Sequence, residues 1–233
     1  MNQSELFAKF CKAAPFAVLT RCVAESFISD ELNQVFEENR SQQYEREVAF
    51  SAVALAMADV TLNFCDNFNQ AYKTHREELG VAVSSFYDKI KATELPVSEA
   101  VVAASAAKST ELQDALEYQP WELLQGYNVL AFDGNHLAKT DKRLQVLHET
   151  TVAPLPGTVV ARYNLQRELF ERAYLLEDAH AQESSTCPRI VEDLQANDVV
   201  LADRHFCIVA FLDAIAARDA KFVIRHHLSL IHI

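Results

Sequence analysis

The hydrophobic rhythm of the chain changes near residue 126, and that change limits the fold more than any single residue does. Upstream, apolar side chains recur at helical spacing; downstream, short runs of aromatic and branched residues alternate with turn signals. In the first part, "SELFAKFCKAA" puts Phe7, Phe10 and Cys11 at helical spacing, with Ser4 and Glu5 suited to a cap and first turn. Further helices are expected over 20–38, over 45–73, near Ser84, and from Pro96 toward Leu116 with Ser98 as a cap.

In the second part, "YNVLAFDG", "PGTVVARYN" and "LFERAYLLE" read as three strands. "STCPRIVEDLQAN" reads as a helix, with Thr186 as N-cap and Pro188 in the first turn. "DVVLADRHF" is a fourth strand, a helix follows over about 207–217, and "AKFVIRHH" is a fifth strand. Three strands, helix, strand, helix, strand predict an α/β layer over 127–225, preceded by a mainly helical region over 1–126.

Half of the residues are hydrophobic and only four are glycine, which excludes a disordered chain. The longest apolar run, Val48 to Val60, contains Asp59 and is too short to cross a bilayer. With no basic stretch ahead of an apolar one at the start, the expectation is a soluble, cytoplasmic protein without membrane contact. Cys11, Cys22, Cys65, Cys187 and Cys207 are scattered, as reduced thiols are. The formal net charge is -12; residues 1–126 hold 10 basic and 19 acidic side chains, and residues 127–233 hold 11 and 14. That balance weighs against nonspecific nucleic-acid binding, which needs local positive charge.

Charges inside the strand pattern therefore stand out. Asp133 is expected at the end of the first strand, with Gly134 permitting a turn or a close approach, and Asp203 at the end of the fourth. Ligands of open α/β sheets collect at the carboxyl ends of strands. If these two strands are neighbours, the carboxylates converge and repel unless a cation sits between them; Mg²⁺ or Mn²⁺ prefers such oxygen ligands. Arg204 is a candidate for phosphate contact or for pairing with a carboxylate, His205 for orienting water or touching DNA, and Arg225 for facing DNA at the same rim. Asn135 and His136 carry no catalytic assignment. Phe206, Phe211, Leu212, Phe222, Val223 and Ile224 read as core.

"NVLAFDGNHL", "PLPGTVVARYN" and above all "DVVLADRHFC" resemble the first and second acidic motifs of transposases of the IS4 type. The resemblance covers residues 127 to 225. It implies a ribonuclease H-like catalytic domain over 127–233, preceded by a helical DNA-end-binding or interaction unit over 1–126. It also implies transposon-end DNA and target DNA as partners, and leaves self-association open. The implied reaction cuts element ends and joins them to target DNA with Mg²⁺ or Mn²⁺ held by an Asp-Asp-Glu triad, whose first two members match Asp133 and Asp203. Family members continue to a helix bearing a tyrosine, an arginine, the third catalytic glutamate and a lysine, for which "RHHLSLIHI" offers no counterpart. The expectation is thus a catalytic core incomplete at its C-terminus: a truncated, inactive form with weak or absent metal binding. Two alternatives stand beside it. One is a noncatalytic DNA-end-binding or protein-interaction module; the other is a metal nuclease completed by Glu168, Glu177 or Glu192.

Overall fold

Helices dominate the early chain because apolar residues fall three and four apart. In the computed structural model, which describes residues 15–25, 29–41, 48–136, 157–177 and 181–226, these helices are α1 (Pro15–Val23), α2 (Ser29–Asn39) and α3 (Phe50–Thr61). They are followed by α4 (Phe68–Thr74), α5 (Arg76–Leu79), α6 (Val83–Ala92) and α7 (Leu95–Ala115). The helix expected over residues 4–14 lies outside the described residues.

The helix expected over 45–73 is two helices. Asn63 adopts a left-handed backbone (φ 59°), and the Asp59 carbonyl accepts from Phe64 N and Cys65 N, which turns the chain. Asn67 then restarts the helix as an N-cap, its side chain accepting from Gln70 N at 3.0 Å. The helix expected over 20–38 is likewise divided between α1 and α2.

The chain forms two compact units, residues 1–104 and 105–233, with the division inside α7. The first unit has one cluster of Val48, Val53, Ala56, Tyr72, Leu79 and Phe86 with their neighbours, and another of Leu32, Phe36, Phe50 and Val97. Phe36 stacks on Phe50 with ring centroids 5.0 Å apart. On α1, Phe16 and Leu19 are exposed. Among the described residues no helix is long and apolar enough to cross a membrane.

The second unit is a five-stranded mixed sheet with short helices. Its strands are β1 (Asn128–His136), β2 (Thr158–Asn164), β3 (Leu169–Leu176), β4 (Asp198–Ala202) and β5 (Lys221–Ile224), in the order β3-β2-β1-β4-β5. The β1–β2 and β2–β3 pairs are antiparallel, whereas β1–β4 and β4–β5 are parallel. Parallel neighbours need crossovers, and α8 (Cys187–Glu192) and α9 (Val209–Ala217) provide them. The α/β class and the order of elements are those expected from the sequence. The last turn of α7 and the segment after it belong with this sheet: Gln113 and Asp114 bond Arg167, and Trp121 N donates to Gln166 O.

Alternation along β1 sends Leu130 and Phe132 into a core with Val160, Tyr174, Ile190, Val200, Phe206, Phe211 and Ile215. Cys187 is buried in this cluster, and that burial pushes its thiol up to about 11. Cys65 is buried too; Cys22, Cys65, Cys187 and Cys207 are all free thiols, while Cys11 lies outside the described residues. Two expected core positions are corrected. Phe222 and Val223 are 41% and 60% exposed, because β5 is an edge strand whose faces are incompletely covered. Phe206 and Phe211 are buried, and Leu212 is half-buried.

Register is pinned at the beginning of β1. Asn128 donates to Asp198 Oδ1 on β4 (3.0 Å) and accepts from Asn164 Nδ2 on β2 (3.0 Å), and both of those partners are buried. Asn128→Ala removes a bond from each neighbouring strand and leaves buried polar atoms short of partners. The expected loss, read by urea unfolding, is about 1–3 kcal/mol; a change within about 0.5 kcal/mol would count against this bridge.

Candidate metal centre

The parallel ladder brings the two acidic segments to the same end of the sheet. Its register runs from Asn128↔Asp198 to Phe132↔Ala202, the residues immediately before Asp133 and Asp203. Asp133 is not at the strand end as expected: β1 continues to His136, paired with β2, and Asp133 lies opposite Ala161. The two strands are of unequal length, and β4 stops at Ala202 because the chain turns there.

Asp203 makes that turn. Its Oδ1 accepts from His205 N at 2.8 Å, capping the single turn Arg204–Phe206, and Phe206 plugs the turn into the core. This local bond answers why a carboxylate follows an apolar strand. It leaves Oδ2 3.6 Å from His205 Nδ1. The same imidazole nitrogen is 3.8 Å from Glu183 Oε2. Glu183, Asp203 and His205 thus offer ligand atoms all within 4.8 Å of one another, a group that could hold a metal ion.

Glu183 was not among the sequence candidates. It opens the single turn Glu183–Thr186, where the buried Thr186 hydroxyl donates to Glu183 O at 2.6 Å. Its side chain lies where a Cβ on Gly134 would be, so glycine here permits a close approach rather than a turn. The Asp-Gly pair within a strand was the available sequence signal, since it announced a close neighbour without naming it. Successive residues of a strand face opposite ways. Asp133 therefore points away from the face on which Glu183 rests, and it is not part of the Glu183–Asp203–His205 group.

The other candidates are placed by the same register. Arg225 N donates to Ala202 O at 3.2 Å, which continues the β4–β5 ladder and sets Arg225 at the rim beside Asp203. Arg204, Arg225 and Asn135 are exposed. The three glutamates considered as a third ligand are not brought to Asp203. Glu168 (φ 56°) lies in the β2–β3 hairpin, at the opposite end of the sheet. Glu177 follows β3, two strands from β1, and Glu192 is exposed at the end of α8. The donor set at the rim is mostly hard carboxylate oxygen, which suits Mg²⁺ or Mn²⁺; the added imidazole favours Mn²⁺ of the two.

No family model matches this sequence, and no curated protein matches it.

The fit between Gly134 and Glu183 is open to a double-mutant cycle. Gly134→Ala forces Glu183 into another rotamer, at an expected cost of about 0.5–1.5 kcal/mol. In a Glu183→Ala background the same substitution is expected to cost almost nothing. Equal costs in both backgrounds, by thermal or urea unfolding, would contradict the contact.

Proposed function

We propose that the chain carries the first two acidic positions of a DNA transposase of the IS4 type, set on a ribonuclease H-like sheet. The observation that supports this most is the parallel pairing of the central strands β1 and β4 up to Phe132 and Ala202, the residues that precede Asp133 and Asp203, in a sheet ordered β3-β2-β1-β4-β5. The motif words around the two aspartates support it independently, because a strand-terminal Asp alone is common.

In this reading Asp133 and Asp203 bind Mg²⁺ or Mn²⁺ at the rim, together with a third acidic residue of the family type. The ion supplies charge stabilisation at the phosphate oxygens and activates the attacking hydroxyl. Asp203 is held in place by its own bond to His205 N, so its free oxygen is oriented before any ligand arrives. Arg204 and Arg225 face solvent at the same rim and are suited to meeting DNA phosphates. Two carboxylates alone hold such an ion weakly, and the reading requires the third to fix it against the phosphate.

A second reading is a metal nuclease whose third ligand is Glu183. The placement of Glu183 against Gly134, with its carboxylate near Asp203 and His205, favours it. This reading would draw on the Glu183 face and not on Asp133.

Cleavage of DNA in Mg²⁺ or Mn²⁺ separates the two. With a downstream segment bearing the family's third acidic motif attached, cutting of matched element ends is expected, and Asp133→Asn or Asp203→Asn should each reduce it by at least about 10²-fold. Cutting that survives both substitutions would overturn the transposase reading. Cutting by the 233-residue chain itself, lost in Glu183→Gln and retained in Asp133→Asn, would establish the nuclease reading instead.

A further inference from the structure

The rim does not use the most heavily buried charged groups among the described residues. Arg21 on α1, Asp59 on α3 and His75 between α4 and α5 are respectively 3%, 0% and 2% exposed. Asp59 accepts from Arg21 Nε at 2.6 Å through Oδ1, and its Oδ2 is 2.6 Å from His75 Nε2. The far ends of the chain of charges reach water: Arg21 Nη1 meets Glu25 at 3.0 Å, and His75 Nδ1 meets Glu78 Oε2 at 2.9 Å.

Both nitrogens of one imidazole therefore face carboxylate oxygens. A neutral ring has one N–H and one lone pair, and a lone pair set against a carboxylate is repelled. The proton is not available from the acids. Asp59 is already bonded to a guanidinium, and Glu78 has a 65% exposed side chain. An imidazolium, with two N–H donors, fits this geometry where a neutral ring does not.

From this geometry we infer that His75 is held as an imidazolium and acts as a pH-sensitive latch, fixing the α4–α5 corner to α3. The corner turns at that residue, beside the buried Ala71, Tyr72 and Leu79. His75 N donates to Ala71 O to end α4, and His75 O accepts from Leu79 N to begin α5. Loss of the proton breaks the imidazolium's pairing with Asp59 or Glu78, while Asp59 retains Arg21. The corner spanning Phe68 to Leu79 opens before α1 is released.

The electrostatics run the same way. The hydrogen bond to Asp59, aided by Glu78 and resisted by burial, raises His75 above its ordinary 6.5. A folded-state value above the unfolded one means that the latch contributes fully below about pH 6.5 and is lost as pH rises through the raised value. Asp59 is pulled the opposite way: burial resists its ionisation, but the bonds from His75 and Arg21 prevail and lower it, and His75 lowers Glu78. Their contributions persist above the ordinary carboxylate values and fail in acid.

The test uses the intact chain. Two-bond ¹H–¹⁵N spectra at neutral pH are expected to give both His75 nitrogens the shifts of protonated imidazolium, and Glu78→Gln, at a largely exposed side chain, should move the His75 titration midpoint down toward about 6.5. Amide exchange over residues 68–79, corrected for the intrinsic rate, should lose up to about tenfold protection per pH unit above that midpoint, while residues 198–217 keep theirs. His75→Gln should make exchange of the corner insensitive to pH over the same range. If that variant does not fold, the ring spectra and the wild-type exchange profile decide alone. A single neutral tautomer at neutral pH, or corner protection independent of pH in the wild-type chain, would overturn the latch.

Discussion

Everything at the rim depends on the parallel ladder between β1 and β4. Antiparallel strands could have been joined by a tight turn, but a parallel pair must be closed by a long connection, and its bonds are reached only after the intervening chain has ordered. The ladder joins Val129 to Val199 and Leu130 to Val200 and runs to Phe132 and Ala202, the residues just before Asp133 and Asp203. A slip of one residue would send Leu130 and Val200 to the wrong face, so the core that excludes water also sets the spacing of the acids. Asn128, at the other end, ties the same three central strands with side-chain bonds.

The two ends of these strands handle charge in opposite ways. At the beginning of β1, Asp198 is buried and satisfied by Asn128 Nδ2 and by Gln195 N, while Asn164 donates to Asn128 and to Glu171. At the rim, Asp133 is exposed, and Asp203 spends one oxygen on its own turn. Buried polar groups with partners serve register, whereas acids crowded at a rim repel one another. The helical unit follows the first pattern at Asp59, whose two oxygens are committed to Arg21 and His75.

Much of this was legible in the residues, and the failures have physical causes. The strand order along the chain followed from alternation and turn signals, and Gly134 announced a close approach. Asp133 was misplaced as strand-terminal because a strand can run on through Gly134 when the neighbouring strand supplies hydrogen bonds, a nonlocal fact. Glu183 was missed for the same reason: nothing between Glu183 and Gly134 in the sequence indicates that a side chain from the turn before α8 crosses β1. Phe222 and Val223 look like core in any local window, and only the position of β5 at the sheet edge exposes them. Asp59 could have been found, since Val53, Ala56 and Asp59 lie three apart on the buried stripe of α3, where a carboxylate needs a partner. Its partners Arg21 and His75 come from distant helices and carry no such mark.

The acidic rim at the ends of β1 and β4 is proposed to bind a divalent metal. Paramagnetic broadening of backbone amide signals by Mn²⁺ tests it most directly, because the effect falls steeply with distance and needs only weak binding. The account predicts early loss of the signals of residues 133–135 and 203–205, with those of Asn128 and Asp198, roughly 16 Å away along strands rising about 3.3 Å per residue, retained at the same Mn²⁺ concentration. Broadening that spares the rim, or that spreads evenly over the exposed acids of both units, would contradict it.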